Sequence, residues 1–146
     1  MKITDAFLGE HGVFYAQFDH LEDALQVPRS VDGVHALTAM LVAALEPHAH
    51  MEDEFLFGPL MREGVMGPSA AMEEEHRAIE ETLRESLAAT DATEAADLLR
   101  NAIGMAREHF LKEEQVAFPF AEQHLGEAVL HERGREWAER RAVVIA

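Results

Sequence analysis

The stretch LLRNAIGMAREHFLKEEQV, Leu98–Val116, decides the fold class. Its inward candidates are Leu98, Leu99, Ala102, Met105, His109, Glu113 and Val116, recurring at intervals of three and four. That is the period of an α-helix with one buried stripe. The stripe is apolar as far as Met105 and then carries His109 and Glu113. Residues at i and i+4 stand one above the other on a helix face. An imidazole and a carboxylate are thereby aimed at the same region of the core.

The rest of the chain repeats this period. Val27–Ser30 with Asp32 and Gly33 form one break. Gly58 and Pro59, then Gly64–Ser69, form a second, and Ala88–Thr93 a third, with Asp91 and Thr93 as candidate N-caps. Between the breaks the pattern predicts four helices, at about 3–26, 31–62, 69–89 and 93–122, and a shorter fifth at about 126–142. No segment alternates with period two over strand length. The expected class is all-α, and short breaks imply antiparallel neighbours, hence an up-down-up-down four-helix bundle. A single domain is expected over 1–146, with the bundle at about 3–122 and a helical tail at about 126–142. Pro47, inside the second helix, is expected to kink it or to mark a local irregularity.

Each helix carries a histidine on its stripe. In the first, His11 lies among Phe7, Leu8, Phe14, Phe18, Leu21 and Leu25. In the second, His48 and Glu52 continue the line of Val34, Leu37, Leu41 and Leu45 toward Phe55 and Leu56. In the third, His76 and Glu80 lie among Met72, Ile79, Leu83 and Leu87. Three of the four histidines thus have a glutamate four residues later: His48 with Glu52, His76 with Glu80, His109 with Glu113. Burying that much polarity unpartnered costs several kcal/mol per group. A metal centre supplies the partner. His50 and Glu54 have the same spacing, but His50 is rotated about 200° from His48. They stand as the alternative pair on the second helix.

The levels along the bundle agree in part. Taking turns near 29, 65 and 91, His11 is 18 residues before the first and His48 is 19 after it. His76 is 15 before the third and His109 is 18 after it. The step from the second helix to the third fits less well, 17 against 11, and the break around Gly58–Ser69 is expected to absorb the slack.

The second and fourth helices share a longer pattern. His48, Glu52 and Asp53 lead to Phe57 and Pro59; His109, Glu113 and Glu114 lead to Phe118 and Pro119. With Glu10-His11 and Glu75-His76, this resembles the doubled signature of the hemerythrin-like HHE cation-binding domain family, over about residues 5–125. The resemblance implies two non-haem iron ions, oxo- or hydroxo-bridged. His11 and His48 would bind one, His76 and His109 the other, with Glu52 and Glu113 bridging. It implies dioxygen, another small diatomic molecule or peroxide as the ligand. Oxygen-carrying members place a second histidine where this chain has Glu80. An anionic carboxylate there favours oxidised metals, which shifts the expectation from reversible dioxygen carriage toward sensing, peroxide or nitric-oxide chemistry, or iron handling. A metal- or oxygen-binding protein is expected rather than a dedicated enzyme. The alternatives are a di-iron peroxidase or oxidase, and an interaction module binding zinc or manganese. A ferritin-like site needs Glu-x-x-His on two helices, and only Glu73 with His76 matches.

Composition narrows the classes further. The 146 residues contain no cysteine, which excludes disulfides, thiolate sites and iron–sulfur clusters. A net charge of −16 argues against nucleic acid and anionic membrane as partners. The start, Met1–Asp5, does not read as a secretory leader, and Ala36–Leu45 is too short to span a bilayer (~20 residues). A cytoplasmic location is the expectation. No nucleotide loop, serine-nucleophile motif or zinc-protease motif occurs. Tyr15, one turn after His11, is a candidate hydrogen-bond donor to a bridging oxygen or bound ligand, with core packing as the other reading. His20, His35, His124 and His131 read as surface or helix-end residues. Arg133–Arg141 is expected to cover a bundle edge, and Val143–Ala146 to dock on the bundle or on a second subunit.

Overall fold

The computed structural model describes residues 1–145. Helix α1 runs Ile3–Leu25, α2 Val31–Glu52, α3 Gly58–Arg62, α4 Ser69–Ala88, α5 Ala92–Lys112, α6 Phe118–Leu125 and α7 Glu127–Arg140. No strand occurs among the described residues. Two π-helical turns, Asp53–Phe57 and Glu113–Ala117, join α2 to α3 and α5 to α6 without a break. The expected four long helices are therefore α1, α2 with α3, α4, and α5 with α6. Local chemistry sets the starts. The Ser30 side chain accepts from the Gly33 N–H at 3.1 Å, and Asp91 from the Glu94 N–H at 3.0 Å, each satisfying a donor of the first turn. Thr93, the other candidate cap, lies inside α5.

The irregularity falls elsewhere than expected. Pro47 is accommodated within α2. Its ring and Ala43, whose carbonyl loses its helical donor, are both exposed, which leaves that carbonyl on the solvent side. The two π turns instead precede Pro59 and Pro119. A proline cannot donate to the residue four before it and crowds that carbonyl. The chain widens, and the Gly58 and Phe118 N–H groups reach back five residues, to the Asp53 and Glu113 carbonyls. Each turn holds an extra residue and moves every later side chain back around the helix. Val116, expected inward, is consequently 55 % exposed, and Ala117 and Phe118 are buried instead.

The core comes in two parts. One apolar cluster gathers Phe14, Phe18, Leu21, Leu41, Leu45, Ile79, Leu83, Leu99 and Phe110; the other gathers Ile3, Phe7, Met51, Phe55, Leu56, Met72, Phe118 and Leu130. Between them lie buried His11, His48, Glu52, His76, His109 and Glu113. The direction of each helix follows from this order. α1 and α4 run from the second cluster to the first; α2 and α5 run the opposite way. Leu8, placed on the α1 stripe by its period, is exposed.

Helix α7 folds back along α1. Gly134 makes this possible, because a Cβ there would collide with the Met1 carbonyl and the Lys2 backbone. Val143–Ile145 is exposed, with Val144 at 94 %, rather than docked on the bundle; Ala146 lies outside the described residues. Among the described residues no helix is long and apolar enough to cross a membrane.

Candidate metal centre

The four stripe histidines and two of the three glutamates meet in two overlapping groups. His11, His48, Glu52 and Glu113 form one; Glu52, His76, His109 and Glu113 form the other. Within each group the ligand atoms lie within 4.8 Å of one another. The glutamates belong to both groups because each divides its oxygens. Glu52 Oε1 faces His48 Nε2 at 3.0 Å and His11 Nε2 at 3.4 Å, while its Oε2 faces His76 Nε2 at 3.1 Å. Glu113 Oε2 faces His11 Nε2 at 3.2 Å, while its Oε1 faces His109 Nε2 at 2.7 Å and His76 Nε2 at 3.3 Å. A carboxylate that splits its oxygens between two pairs of imidazoles has the shape of a bridge.

The outward nitrogens reveal a layer the sequence reading passed over. His48 Nδ1 meets Glu10 at 2.6 Å, His76 Nδ1 meets Asp53 at 2.9 Å, and His11 Nδ1 meets Glu114 at 3.1 Å. His109 Nδ1 faces Glu75 at 3.9 Å, and Lys112 takes that carboxylate at 2.7 Å. The pattern is doubled, like the motif. The acid before His11 serves His48, and the acid before His76 faces His109. The acid after Glu52 serves His76, and the acid after Glu113 serves His11. The signal was present as Glu10-His11, Glu75-His76, Glu52-Asp53 and Glu113-Glu114. Its use was hidden, because each acid serves a histidine on a different helix. A carboxylate on the far nitrogen would keep a proton on Nδ1 and leave Nε2 free for a metal that displaces the inner proton.

Glu10 is itself held. Its Oε1 accepts from Trp137 Nε1–H at 3.2 Å and Arg141 Nε–H at 2.8 Å. Trp137 lies in α7 and Arg141 caps it, so the C-terminal helix reaches the centre through one carboxylate.

Charge in the centre is balanced by proximity. Burial alone would depress the imidazoles, but Glu113 and Glu52 raise His11 to about 10, and Glu52 and Glu10 raise His48 to about 9. Asp53, Glu113 and Glu52 likewise outweigh burial at His76, which rises to about 12. Burial opposes ionisation of Glu52, yet the surrounding imidazoles hold it well below the usual carboxylate range. Glu113 is lowered too, its histidines outweighing burial and the charge of Glu52. Protons thus do the work that cations would do. They do it incompletely. His11 Nε2, His48 Nε2, both Glu52 oxygens, His109 Nε2 and Glu113 Oε2 are buried without a well-aligned hydrogen-bond partner. Such orphaned atoms are rare in folded proteins, and here they point at one another.

Four sequence candidates end elsewhere. Glu80 joins neither group; its carboxylate lies 3.7 Å from both His50 and Arg84. The reason is helix direction. Four residues on from His48 or His109 leads toward the second apolar cluster, whereas on antiparallel α4 it leads away, toward the first. An added ligand charge from Glu80 therefore has no basis in this arrangement. Tyr15 donates to Glu114 at 3.1 Å, and so touches the partner of His11 rather than the inner groups. Burial beside Glu114 raises its pKa to about 12, which keeps it a donor. His50 is 70 % exposed and Glu54 pairs with Arg140, which separates that pair from the centre and leaves His48 with Glu52.

The sequence matches the family profile described as the Hemerythrin HHE cation binding domain over residues 2–132. No curated protein and no solved structure matches the chain.

Proposed function

Because the chain belongs to the Hemerythrin HHE cation-binding domain family, we propose that its centre holds two non-haem iron ions and serves oxygen or redox chemistry. His11 and His48 would hold one ion, His76 and His109 the other, with Glu52 and Glu113 shared. The observation that carries this reading is the division of both carboxylates between the two histidine pairs. Imidazole and carboxylate suit first-row metals such as iron, and manganese or zinc can use the same donors.

Two irons, held by these residues, would supply a change of redox state and affinity for dioxygen, nitric oxide or peroxide. The chain does the rest. Glu10, Asp53 and Glu114 would hold three imidazoles in the liganding tautomer once metal displaces their inner protons. The Tyr15 hydroxyl keeps its proton on the Glu114 side. Phe7, Phe14, Phe110 and Phe118 surround His11 and His48 and exclude water.

The test is metal analysis with an optical spectrum on protein expressed with iron. The expected result is two irons per chain and near-ultraviolet bridge absorption that disappears in His48→Ala and His109→Ala. A protein that takes up only zinc or manganese, even on anaerobic reconstitution with ferrous iron, would remove the iron reading.

A further inference from the structure

The side chains most readily oxidised by one electron are those of tryptophan, tyrosine and cysteine. The chain has one tryptophan, one tyrosine and no cysteine. Both aromatics are tied by hydrogen bonds to the same half of the centre. Trp137 Nε1–H donates to Glu10 Oε1 at 3.2 Å, and Glu10 Oε2 meets His48 Nδ1 at 2.6 Å. The Tyr15 hydroxyl donates to Glu114 Oε1 at 3.1 Å, and that same oxygen meets His11 Nδ1, also at 3.1 Å. Behind His76 and His109 stand Asp53 and Glu75, with no oxidisable ring. The other rings around His11 and His48 are phenylalanines, which resist such oxidation. A half-buried tyrosine or tryptophan needs some hydrogen-bond partner. That partner need not be a carboxylate already engaged by a histidine of the centre, yet here it is so twice. Tyr15 and Trp137 are also both partly exposed, so each reaches from an outer carboxylate to the surface.

We propose that Tyr15 and Trp137 are one-electron donors to the centre, each passing its electron through an outer carboxylate and a histidine. The proposal rests on the two-iron reading and adds the route by which electrons enter. The co-reactant is a peroxide, hydrogen peroxide being the simplest. Its O–O bond breaks and two O–H bonds form, which takes two electrons and two protons. Tyr15 gives up one electron and its phenolic proton; Trp137 gives up one electron and its indole proton. Hydrogen peroxide and the two side chains thus yield two waters, one tyrosyl radical and one tryptophanyl radical, with the iron oxidation states unchanged overall. Each ring releases its proton along the hydrogen bond it already makes, to Glu114 or Glu10, so no net charge is left on the ring. Because both residues are partly exposed, a reductant in solution can restore them.

Freeze-quench electron paramagnetic resonance on iron-loaded protein mixed with hydrogen peroxide tests this, with radical yield counted per bound iron. The expected spectrum holds a tyrosyl and a tryptophanyl component. Tyr15→Phe should remove the first, Trp137→Phe the second, and the double variant both; phenylalanine keeps a ring in each place. Zinc-loaded protein, whose metal cannot change redox state, should give no radical. Full iron with no organic radical would overturn the proposal. So would a radical of parental yield in the double variant or in zinc-loaded protein. Iron content separates this proposal from the reading beneath it. A protein that takes up no iron sinks both, whereas full iron without a radical sinks the electron route alone.

Discussion

At the scale of single residues the centre depends as much on its outer carboxylates as on its inward ligands. Glu10 is the clearest case. It joins His48 at 2.6 Å to Trp137 and Arg141 and is ionised because His48 and Arg141 outweigh its burial. Removing it frees the His48 ring to rotate and to exchange tautomers. Glu10→Ala is expected to lower metal affinity by ~10–100-fold, measured by competition with a coloured chelator, while Glu10→Asp restores part of it. An affinity equal to the parent's would mean that packing by Phe7 and Phe14 alone orients His48. Glu80 teaches the converse. Its spacing from His76 equals that of Glu52 from His48, yet the antiparallel direction of α4 takes it out of the centre.

At the scale of elements, the doubled His-x3-Glu helices and their π turns form the frame. Each shared glutamate sits where α-helix gives way to π-helix, and π turns recur at functional sites for the reason visible here. The extra residue lets the inward line carry a ligand pair first and then resume as apolar core. Helix α7 is the other element of consequence. It seats on the start of α1 through Gly134 and brings Trp137 and Arg141 to Glu10. Gly134→Val is expected to destabilise the fold by about 1–3 kcal/mol, read by chemical denaturation. Metal affinity should fall alongside, as in Glu10→Ala. A variant that loses stability but keeps full affinity would show that α7 supports the bundle without tuning the centre.

At the scale of the whole molecule, a polar layer sits between two apolar clusters, and its charge balance sets how stability depends on pH. His11, His48 and His76 have folded values of about 10, 9 and 12 against an ordinary 6.5. A raised imidazolium contributes fully below 6.5 and loses its contribution as pH climbs through the folded value. Glu52 and Glu113 are lowered from 4.5, so their contribution is present above 4.5 and lost as pH falls below it. The melting temperature of the metal-free protein should therefore be highest between about 4.5 and 6.5 and decline toward 9–10. Metal-loaded protein should melt higher and stay level through the alkaline range, because bound cations replace the protons. Calorimetry across pH, with and without chelator, checks both; a metal-free protein that gains stability from pH 6.5 to 9 would contradict this charge balance.

The linear chain alone was enough for the all-α bundle, its four long helices and the inward line His11, His48, His76 and His109, because helical period and Gly/Pro breaks are local properties. It also contained Glu52 and Glu113, since i and i+4 share a face whatever the surroundings. Tertiary structure decided the rest. Whether a glutamate four residues on enters the centre depends on which way its helix runs, which admits Glu52 and Glu113 and turns Glu80 out. Whether Val116 or Ala117 faces the core depends on an extra residue in a turn, and a strict α period cannot register it. That Glu10, Asp53 and Glu114 each serve a histidine on another helix, and that α7 reaches His48 through Glu10, are contacts between distant parts of the chain. Local patterning carries no record of such contacts, because only packing brings those residues together.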